Sequence, residues 1–188
     1  MKCFLTLIFI LAFTFPLRAQ EHTRPPRTTP TPTPTGGTPS NTWARFTSED
    51  GRFSVLMPGT PKESNDTVPS EHGPYTTHMF ILRNETNVFV VGWGDYDPSF
   101  NFNLQTELEA NRDNFVKGIK GTLVESRALK IDGYKAIEFT AETTTRVFRS
   151  RVYMVGRRPY QIIVGSPKGA EDSNSVSKFL DSFKVSAS

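Results

Sequence analysis

A serine and a lysine three residues apart form the clearest match in this sequence to a known catalytic motif. The segment Ser175-Val176-Ser177-Lys178 has the Ser-x-x-Lys spacing with which penicillin-interactive enzymes place a nucleophilic serine beside a lysine. Those enzymes need two companion elements, a Ser/Asn pair and Lys-Thr-Gly, and neither accompanies the motif here. We therefore interpret Ser175 as part of the capped start of a terminal amphipathic helix, and not as a nucleophile.

Imidazole and carboxylate groups come together in a second segment, where they could bind a metal ion. His72 and His78, with Glu71 beside them, supply ligand types that zinc accepts. A Gly-Pro pair between the two histidines predicts a loop, and His78 falls in the register of the strand that follows. The alternative, which we expect, is that both histidines are solvated. We therefore predict no bound metal ion and no other cofactor.

Two more polar groupings lie where predicted strands end. Residues 165–169 (GSPKG) precede a predicted helix, and their backbone N–H groups could bind an anion; the alternative is a simple turn, which we expect. Asp95 and Asp97 form a carboxylate pair of the kind that hydrolases use, yet no residue near them in the sequence completes an acid and base pair. We expect Asp97 to begin a turn with Pro98, and we predict no catalytic residue.

A group of arginines occupies one predicted hairpin and is the best candidate for a binding surface. Arg149 and Arg151 are two residues apart on a predicted strand, so they share a face. An acidic protein could dock on such a face; the alternative is that Glu138 and Glu142 pair with the arginines across the sheet. The arginines that we predict for docking are Arg149, Arg151, Arg157 and Arg158.

The folded part of the chain carries no net charge. The full sequence is +3, with 22 Lys plus Arg against 19 Asp plus Glu. From Thr42 onward there are 18 of each, a difference of zero. We therefore expect no bulk attraction to nucleic acid or to anionic lipid. The single cysteine, Cys3, lies in the N-terminal leader, so disulfides, zinc-thiolate sites and cysteine nucleophiles are not expected in the folded part.

Residues 1–19 have the pattern of a signal peptide. Lys2 precedes an apolar run over 4–13 that is too short to cross a bilayer as a mature helix, and the small residue Ala19 suits a signal peptidase. We predict cleavage after Ala19, export to the periplasm or out of the cell, and no membrane span in the mature chain. The alternative is an uncleaved anchor or a buried helix.

Residues 20–41 are rich in threonine and proline and have almost no apolar side chain. Proline fixes φ and favours extended polyproline II, which predicts a semi-stiff tether. The tether could be a stalk or a ligand for a proline-binding partner. The alternative is a disordered segment that only keeps the domain away from the point at which the chain is exported. Residues 42–188 are predicted to form one domain, long enough to bury a core without disulfides.

Beyond the tether, alternation of apolar and polar residues predicts strands. The segment 88–93 is nearly all apolar, which is typical of a central strand covered on both faces. Asp132-Gly133 between two alternating runs predicts a tight hairpin. The predicted strands are a pair within 44–57, then 75–83, 87–96, 123–131, 134–143, 146–155 and 160–165.

Two segments have helical periodicity instead. In 101–120, Leu104 and Leu108 fall on one apolar stripe, and Glu107 is expected to face water with the other charged residues. The segment 174–183 predicts a short amphipathic helix. The order of strands, helix, strands, helix predicts an α+β fold, with one largely antiparallel twisted sheet and helices packed on its faces.

Several sequence runs together resemble the PsbP-like superfamily. They are GRFSVLMPGTP at 51–61, GYKAIEF at 133–139, RVYMVG at 151–156 with YQIIV at 160–164, and FLDSF at 179–183. Members of that superfamily include an extrinsic subunit of photosystem II, a Ran-binding nuclear import protein and many exported bacterial domains. The resemblance implies an α/β/α sandwich that binds or supports other macromolecules and is not an enzyme. The resemblance implies no ligand residues. Because the tether is unlike the basic N-terminal segment of the photosystem subunit, we expect no photosynthetic role.

Two functions fit this sequence. The first is an exported, non-enzymatic domain that binds a protein or envelope component, and its support is the tether together with the intact core pattern. The alternative is an envelope hydrolase or small-ligand-binding domain with a pocket between sheet and helix. We expect a monomer whose partner is an unknown protein or envelope component, with no nucleic acid bound.

Overall fold

The computed structural model describes residues 42–68 and 75–186, and these contain ten strands and two helices. The predicted signal peptide (1–19), the predicted tether (20–41), Glu71 and His72 lie outside the described residues. The strands are β1 (Ala44–Ser48), β2 (Phe53–Met57), β3 (Lys62–Val68), β4 (Tyr75–Arg83), β5 (Val88–Gly94), β6 (Thr122–Ile131), β7 (Tyr134–Glu142), β8 (Arg146–Val155), β9 (Arg158–Pro167) and β10 (Lys184–Val185). The helices are α1 (Leu104–Gly118) and α2 (Ser173–Ser182).

Seven strands form one antiparallel sheet, in the order β3-β4-β5-β9-β8-β7-β6. The predicted central strand, β5, lies between β4 and β9, and all seven of its residues are buried. The hairpin between β6 and β7 turns at Asp132 and Gly133, whose φ values of 50° and 86° are those of a left-handed two-residue turn. The predicted antiparallel sheet and its Asp-Gly hairpin are both confirmed.

The two helices pack on opposite faces of this sheet. α1 lies against β6, β7 and β8, and α2 lies against β8 and β9 on the other face. A small second sheet, in the order β1-β2-β10, shares the α2 face, where β2 also contacts α2. The predicted α+β sandwich, with helices on both sheet faces, is therefore confirmed, and the small sheet is an addition to it.

Alternation of side chains along the strands builds a separate apolar core on each face. On the α1 face, Phe115 meets Phe148 edge to face, with ring centres 5.6 Å apart. On the α2 face, Phe53 of β2 stacks on Phe183 with centres 5.5 Å apart, and Phe179 of α2 is fully buried beside them. Each fully buried phenylalanine contributes about 2 kcal/mol. Phe53 also meets Tyr160 of β9 edge to face, with ring centres 6.3 Å apart, and this contact holds the small sheet against the large one and so fixes the walls of the space between them.

Two strands lie outside the predicted set. β3 has the sequence KESNDTV, without apolar alternation, because it is an edge strand whose residues 62–67 are exposed. β10 has only two residues, too few to show a period. Within the described part of the chain, neither helix is long and apolar enough to cross a bilayer.

The prediction that Glu107 faces water is wrong. Glu107 is only 3% exposed, on the sheet side of α1. Its carboxylate accepts a hydrogen bond from the Tyr96 hydroxyl and one of 3.2 Å from Nδ2 of Asn111. The polar partners explain the burial, because a buried carboxyl is tolerated where donors replace the lost water.

Candidate functional site

A polar pocket lies at one end of the sandwich, where the small sheet meets the strand ends of the large sheet. Its volume is about 210 Å³. Its walls come from the β1–β2 turn, the end of β5, the start of β7, the β8–β9 hairpin and the segment after β10. We call it the basic pocket; its principal polar residues are Arg52, Asp95, Tyr134, Arg157, Arg158 and Tyr160.

Arg52 is presented by the turn between β1 and β2. The Gly51 N–H donates to Oγ of Ser48 at 3.0 Å, and the Arg52 N–H donates to the carbonyl of Glu49 at 3.1 Å. Arg52 has a φ of 52°, a left-handed conformation that is uncommon for arginine. Its side chain makes no hydrogen bond or ion pair with any other described residue. Within the described chain, its charge is therefore uncompensated.

Arg158 forms the inner wall of the basic pocket. Its Nη2 and Nε donate to the two carboxylate oxygens of Asp95 at 2.5 and 2.7 Å, and its Nη1 donates to the carbonyl of Asp50 at 2.8 Å. The guanidinium also lies over the indole of Trp93, 4.3 Å from the ring centre. The hydrogen bonds with Asp95 raise the pKa of Arg158 above its usual value. This arginine is thus fixed in place, and Asp95 offsets its charge.

Arg157 borders the pocket from the turn between β8 and β9. Its Nη2 donates to the backbone carbonyls of Asp97, at 2.5 Å, and of Phe100. The guanidinium lies 5.5 Å from the ring centre of Phe102. Its Nε is buried and has no hydrogen-bond partner among the described residues. Carbonyl oxygens orient the guanidinium but carry no formal charge, so the positive charge of Arg157 is also uncompensated.

Two tyrosines complete the lining. The Tyr160 hydroxyl donates to the carbonyl of Gly51 at 2.8 Å and so ties β9 to the turn that carries Arg52. Burial raises the pKa of Tyr160, which keeps its phenol neutral. Tyr134 is half-buried at the start of β7, and its hydroxyl makes no hydrogen bond with another described residue.

Three guanidinium groups and one carboxylate give the basic pocket a formal charge of 3 − 1 = +2. Because Asp95 offsets Arg158, the excess belongs to Arg52 and Arg157. Walls of low dielectric focus the field of charges in a cleft, so these two attract a counter-ion more strongly than the same groups on an open surface. The arrangement is suited to binding an anion.

The order and packing of these elements match a solved structure. The solution structure of cyanobacterial PsbP (CyanoP) from Synechocystis sp. PCC 6803 superposes with a TM-score of 0.53 and covers 82% of this chain and 98% of that chain. The domain has the PsbP-like fold. The two sequences are 11% identical, so the likeness concerns fold alone. A crystal structure from Bacteroides thetaiotaomicron VPI-5482 is 12% identical, with a TM-score of 0.38, and covers 76% of this chain and 48% of that chain.

No protein-family model and no curated protein sequence matches the chain. The site must therefore be judged from its own geometry.

The fold separates the four arginines predicted for docking. Arg157 and Arg158 line the basic pocket, whereas Arg149 and Arg151 lie along β8 on its α2 face. Arg158 is paired with Val155, four residues along β8 from Arg151, a distance of about 13 Å. The four therefore do not converge on one spot.

Arg151 is bound by other residues of the domain. It donates to Glu138 and Asp181 at 2.5 and 2.7 Å and to the carbonyl of Leu180 at 3.0 Å. Arg127 adds two hydrogen bonds to Glu138. Glu138 lies directly opposite Arg151 in the β7–β8 register, so the predicted cross-strand pairing with Glu138 is confirmed. These contacts hold α2 against the sheet.

Arg149 differs from Arg151 in its surroundings. It is exposed, lies opposite Thr140, and makes no ion pair with another described residue. The predicted pairing of the arginines with Glu142 is wrong, because Glu142 binds Lys168 instead. On the α2 face, Arg149 is therefore the arginine of the predicted docking set that a partner could reach.

The Ser-x-x-Lys segment lies at the start of α2. Asp172 caps the helix, and the Ser175 hydroxyl donates to its carboxylate at 2.6 Å. Lys178 lies over the ring of Trp43, 4.9 Å from the ring centre. The interpretation of this segment as a capped amphipathic helix is confirmed.

Of the predicted histidine grouping, the structure describes only His78. His78 is half-buried and stacks on Trp93, with ring centres 4.1 Å apart and planes at 9°. In the described ranges, 42–68 and 75–186, no group of three or more His, Cys, Asp or Glu side chains could hold a metal ion. His72 and Glu71, which the metal hypothesis also needs, lie outside those ranges.

The predicted Asp97 turn is confirmed, whereas the turn predicted over 165–169 is confined to Lys168 and Gly169, because 165–167 continue strand β9. Asp97 accepts hydrogen bonds from the N–H and the hydroxyl of Ser99 at 2.8 and 2.5 Å, as a turn-forming aspartate does. In 165–169, the N–H of Gly169 donates to the carboxylate of Glu171 at 3.1 Å. That turn therefore satisfies one of its own donors.

Arg52, Tyr134 and Tyr160 are pocket residues that the sequence reasoning missed. The available signal for Arg52 was its place after Asp50-Gly51, between two short strands, where a turn exposes a side chain. No local pattern shows that this turn meets the β8–β9 hairpin, because the two are far apart in the chain.

Proposed function

We propose that this chain is an exported, non-enzymatic domain that binds an acidic protein or envelope component through the basic pocket. The observation that carries the proposal is the convergence of Arg52, Arg157 and Arg158 on one cleft, with two of the three charges uncompensated in the described chain. Charge complementarity of this kind gives specificity and speeds association.

The position of the pocket relative to the predicted tether supports this role. β1 begins at Ala44, just after the tether, and its five residues extend about 16 Å towards the turn that carries Arg52. The described chain thus begins at one end of the small sheet, and the pocket lies at the other end. An exported chain held by residues 20–41 would present the pocket away from its point of attachment.

The reactive side chains are already hydrogen-bonded to other groups, which supports a role without catalysis. Asp95 is bound by Arg158, and the Ser175 hydroxyl is bound to Asp172. Burial raises the pKa of Tyr160, so this phenol is a poor proton acceptor at neutral pH. We therefore assign binding, and not hydrolysis, to the pocket.

A small-ligand-binding domain is the second candidate. Its support is the pocket volume of about 210 Å³, which is below the roughly 300–1,000 Å³ of drug-sized ligand sites but adequate for a small polar group. The pocket lies between the two sheets, and not between sheet and helix as the sequence suggested for this candidate.

Affinity capture from the native envelope fraction tests the proposal. The bait is the mature chain, residues 20–188, as wild type, as Arg52→Glu and as Arg149→Glu; both positions are exposed and both changes reverse one charge. We expect wild type and Arg149→Glu to retain the same acidic partner and Arg52→Glu to lose it. Retention by Arg52→Glu with loss by Arg149→Glu would overturn the pocket assignment and favour the α2 face.

A further inference from the structure

We infer that the group seated in the basic pocket is a doubly charged tetrahedral oxyanion of the phosphate-monoester class. This inference rests on the proposed function and names the ligand group at the same site. Arg52 and Arg157 leave two positive charges without a carboxylate partner in the described chain, so a dianion neutralises the pocket whereas a single carboxylate does not.

The donors also suit this geometry. Guanidinium groups bind phosphate and carboxylate oxygens through parallel N–H bonds, and a phosphate supplies three acceptor oxygens in place of two. The Arg52 guanidinium and the Tyr134 hydroxyl are donors on the lining that have no hydrogen-bond partner among the described residues. Donors from separate walls can thus meet different oxygens of one anion.

The Asp95 carboxylate defines where the anion lies. Asp95 repels an anion on its own side but is held by Arg158, so the favourable position is on the side of Arg52 and Arg157. The pocket volume of about 210 Å³ equals that of about seven water molecules in the liquid. The pocket therefore accommodates a phosphate and the first atoms of the group that carries it.

Titration calorimetry with the mature chain tests this inference. The probes are glycerol 3-phosphate, sulfate and acetate. We expect glycerol 3-phosphate and sulfate to bind at least about tenfold more tightly than acetate at neutral pH, because each additional charge-assisted hydrogen bond is worth about that factor. Between about pH 7.5 and pH 5 the phosphate-monoester dianion takes up one proton and becomes a monoanion, so its affinity should fall while that of sulfate stays constant.

Three variants accompany this experiment. Arg52→Asn removes the charge but keeps a residue that tolerates the left-handed turn, and it should weaken glycerol 3-phosphate binding at least about tenfold. Arg149→Gln removes an exposed arginine outside the pocket and should leave the affinity unchanged. Arg52→Lys should restore part of the binding, because it restores the charge.

Three results would overturn the inference: acetate binding as tightly as glycerol 3-phosphate, wild-type affinity in Arg52→Asn, or no binding of either dianion. If partner capture still depends on Arg52 while both dianions fail to bind, the phosphate assignment alone falls and the proposed function stands. Cosedimentation with phosphatidic acid vesicles would identify a lipid headgroup as the source of the phosphate. Binding of glycerol 3-phosphate without cosedimentation would identify a soluble phosphate ester. Both results support the inference.

Discussion

At the scale of single residues, Glu107 and Glu138 are two buried carboxyl groups with opposite responses to pH. Glu107 receives hydrogen bonds from the neutral donors Tyr96 and Asn111, and burial raises its pKa. Burial alone would raise the pKa of Glu138 as well, but hydrogen bonds from two arginines outweigh that effect and lower it. The sign of the shift follows from the charge of the donors.

The first prediction concerns Glu107→Gln. Because the folded-state pKa of Glu107 lies above its unfolded value near 4.5, the folded protein binds more protons, and its free energy of unfolding falls as pH rises through the interval between the two. Glutamine keeps an acceptor oxygen and cannot ionise. Urea unfolding at several pH values from about pH 5 to 8 should therefore show a flatter profile in this variant, with no loss of stability at the upper end.

Glu125→Gln, at an exposed carboxyl of β6, is the matched control and should leave the profile unchanged. A Glu107→Gln variant that retains the full decline of the wild type would show that Glu107 is not the titrating group. A loss of more than about 2 kcal/mol at pH 8 would show instead that the carboxylate itself is required.

The second prediction compares Arg151→Met with Arg149→Met. Removal of Arg151 deprives the buried Glu138 of its main partner, and we expect a loss of about 3 kcal/mol, measured by urea unfolding at neutral pH. Because the pKa of Glu138 is lowered in the folded state, this contribution is present above the unfolded pKa and disappears as pH falls through the folded one. Arg149→Met should change stability by less than about 0.5 kcal/mol. Equal losses in the two variants would refute the distinction.

The spacing of α1 contains more information than the sequence reasoning used. Glu107 and Asn111 fall on the same stripe as Leu104, Leu108 and Phe115 at helical spacing, and the stripe is buried. A charged residue type predicts exposure, but the helical period places both side chains against the sheet. Of the two donors that make this burial tolerable, Asn111 lies on the helix itself, but Tyr96 comes from outside it and could not be inferred from its spacing.

At the scale of elements, the end of α1 is a Schellman motif with an unusual residue. The N–H of Gly121 donates to the carbonyl of Val116 and the N–H of Lys120 donates to that of Lys117, each at 3.0 Å. The residue in the left-handed conformation is Lys120, with a φ of 52°, where glycine is usual. Gly121 is needed for a different reason, since a Cβ there would lie 2.6 Å from the carbonyl oxygen of Glu142.

The third prediction follows from this motif. Lys120→Gly removes the strain of a left-handed lysine and should raise the free energy of unfolding by about 1 kcal/mol in thermal or urea unfolding. Lys117→Gly, at an exposed position inside the last turn of the same helix, should lower it by about 1 kcal/mol. If both variants lose stability, the positive φ at Lys120 imposes no strain.

Periodicity located both helices and the strands other than β3 and β10. It succeeds where one face of an element is buried, as in β5 and α2. It fails for β3, because an exposed edge strand imposes no apolar pattern on its sequence.

At the scale of the whole molecule, the resemblance carried by runs such as 51–61 was sufficient to predict the fold, which the CyanoP structure confirms. The basic pocket could not be predicted in the same way. Its residues come from five turns and strand ends, near positions 52, 95, 134, 157 and 186, which only the packing of the small sheet on the large one brings together. Asp95 and Arg158 are far apart in the chain, so their ion pair produces no periodic pattern in the sequence.

The fourth prediction concerns the whole exported chain. If residues 1–19 are a signal peptide, intact-mass spectrometry of the exported protein should give a chain that begins at Gln20. Ala19→Phe should block cleavage and leave a larger, membrane-retained species, because the peptidase needs a small residue at that position. Exported protein that begins at Met1 would refute cleavage and favour an uncleaved anchor.

Photo-crosslinking in the native host tests the central claim, that the basic pocket is the surface by which this domain binds, most directly. A photoreactive phenylalanine derivative replaces either Tyr134, on the pocket lining, or Arg149, on the α2 face of the sheet. The account predicts a specific adduct from position 134 that disappears when Arg52→Glu is added, and none from position 149. An adduct from position 149 alone, unchanged by Arg52→Glu, would contradict it.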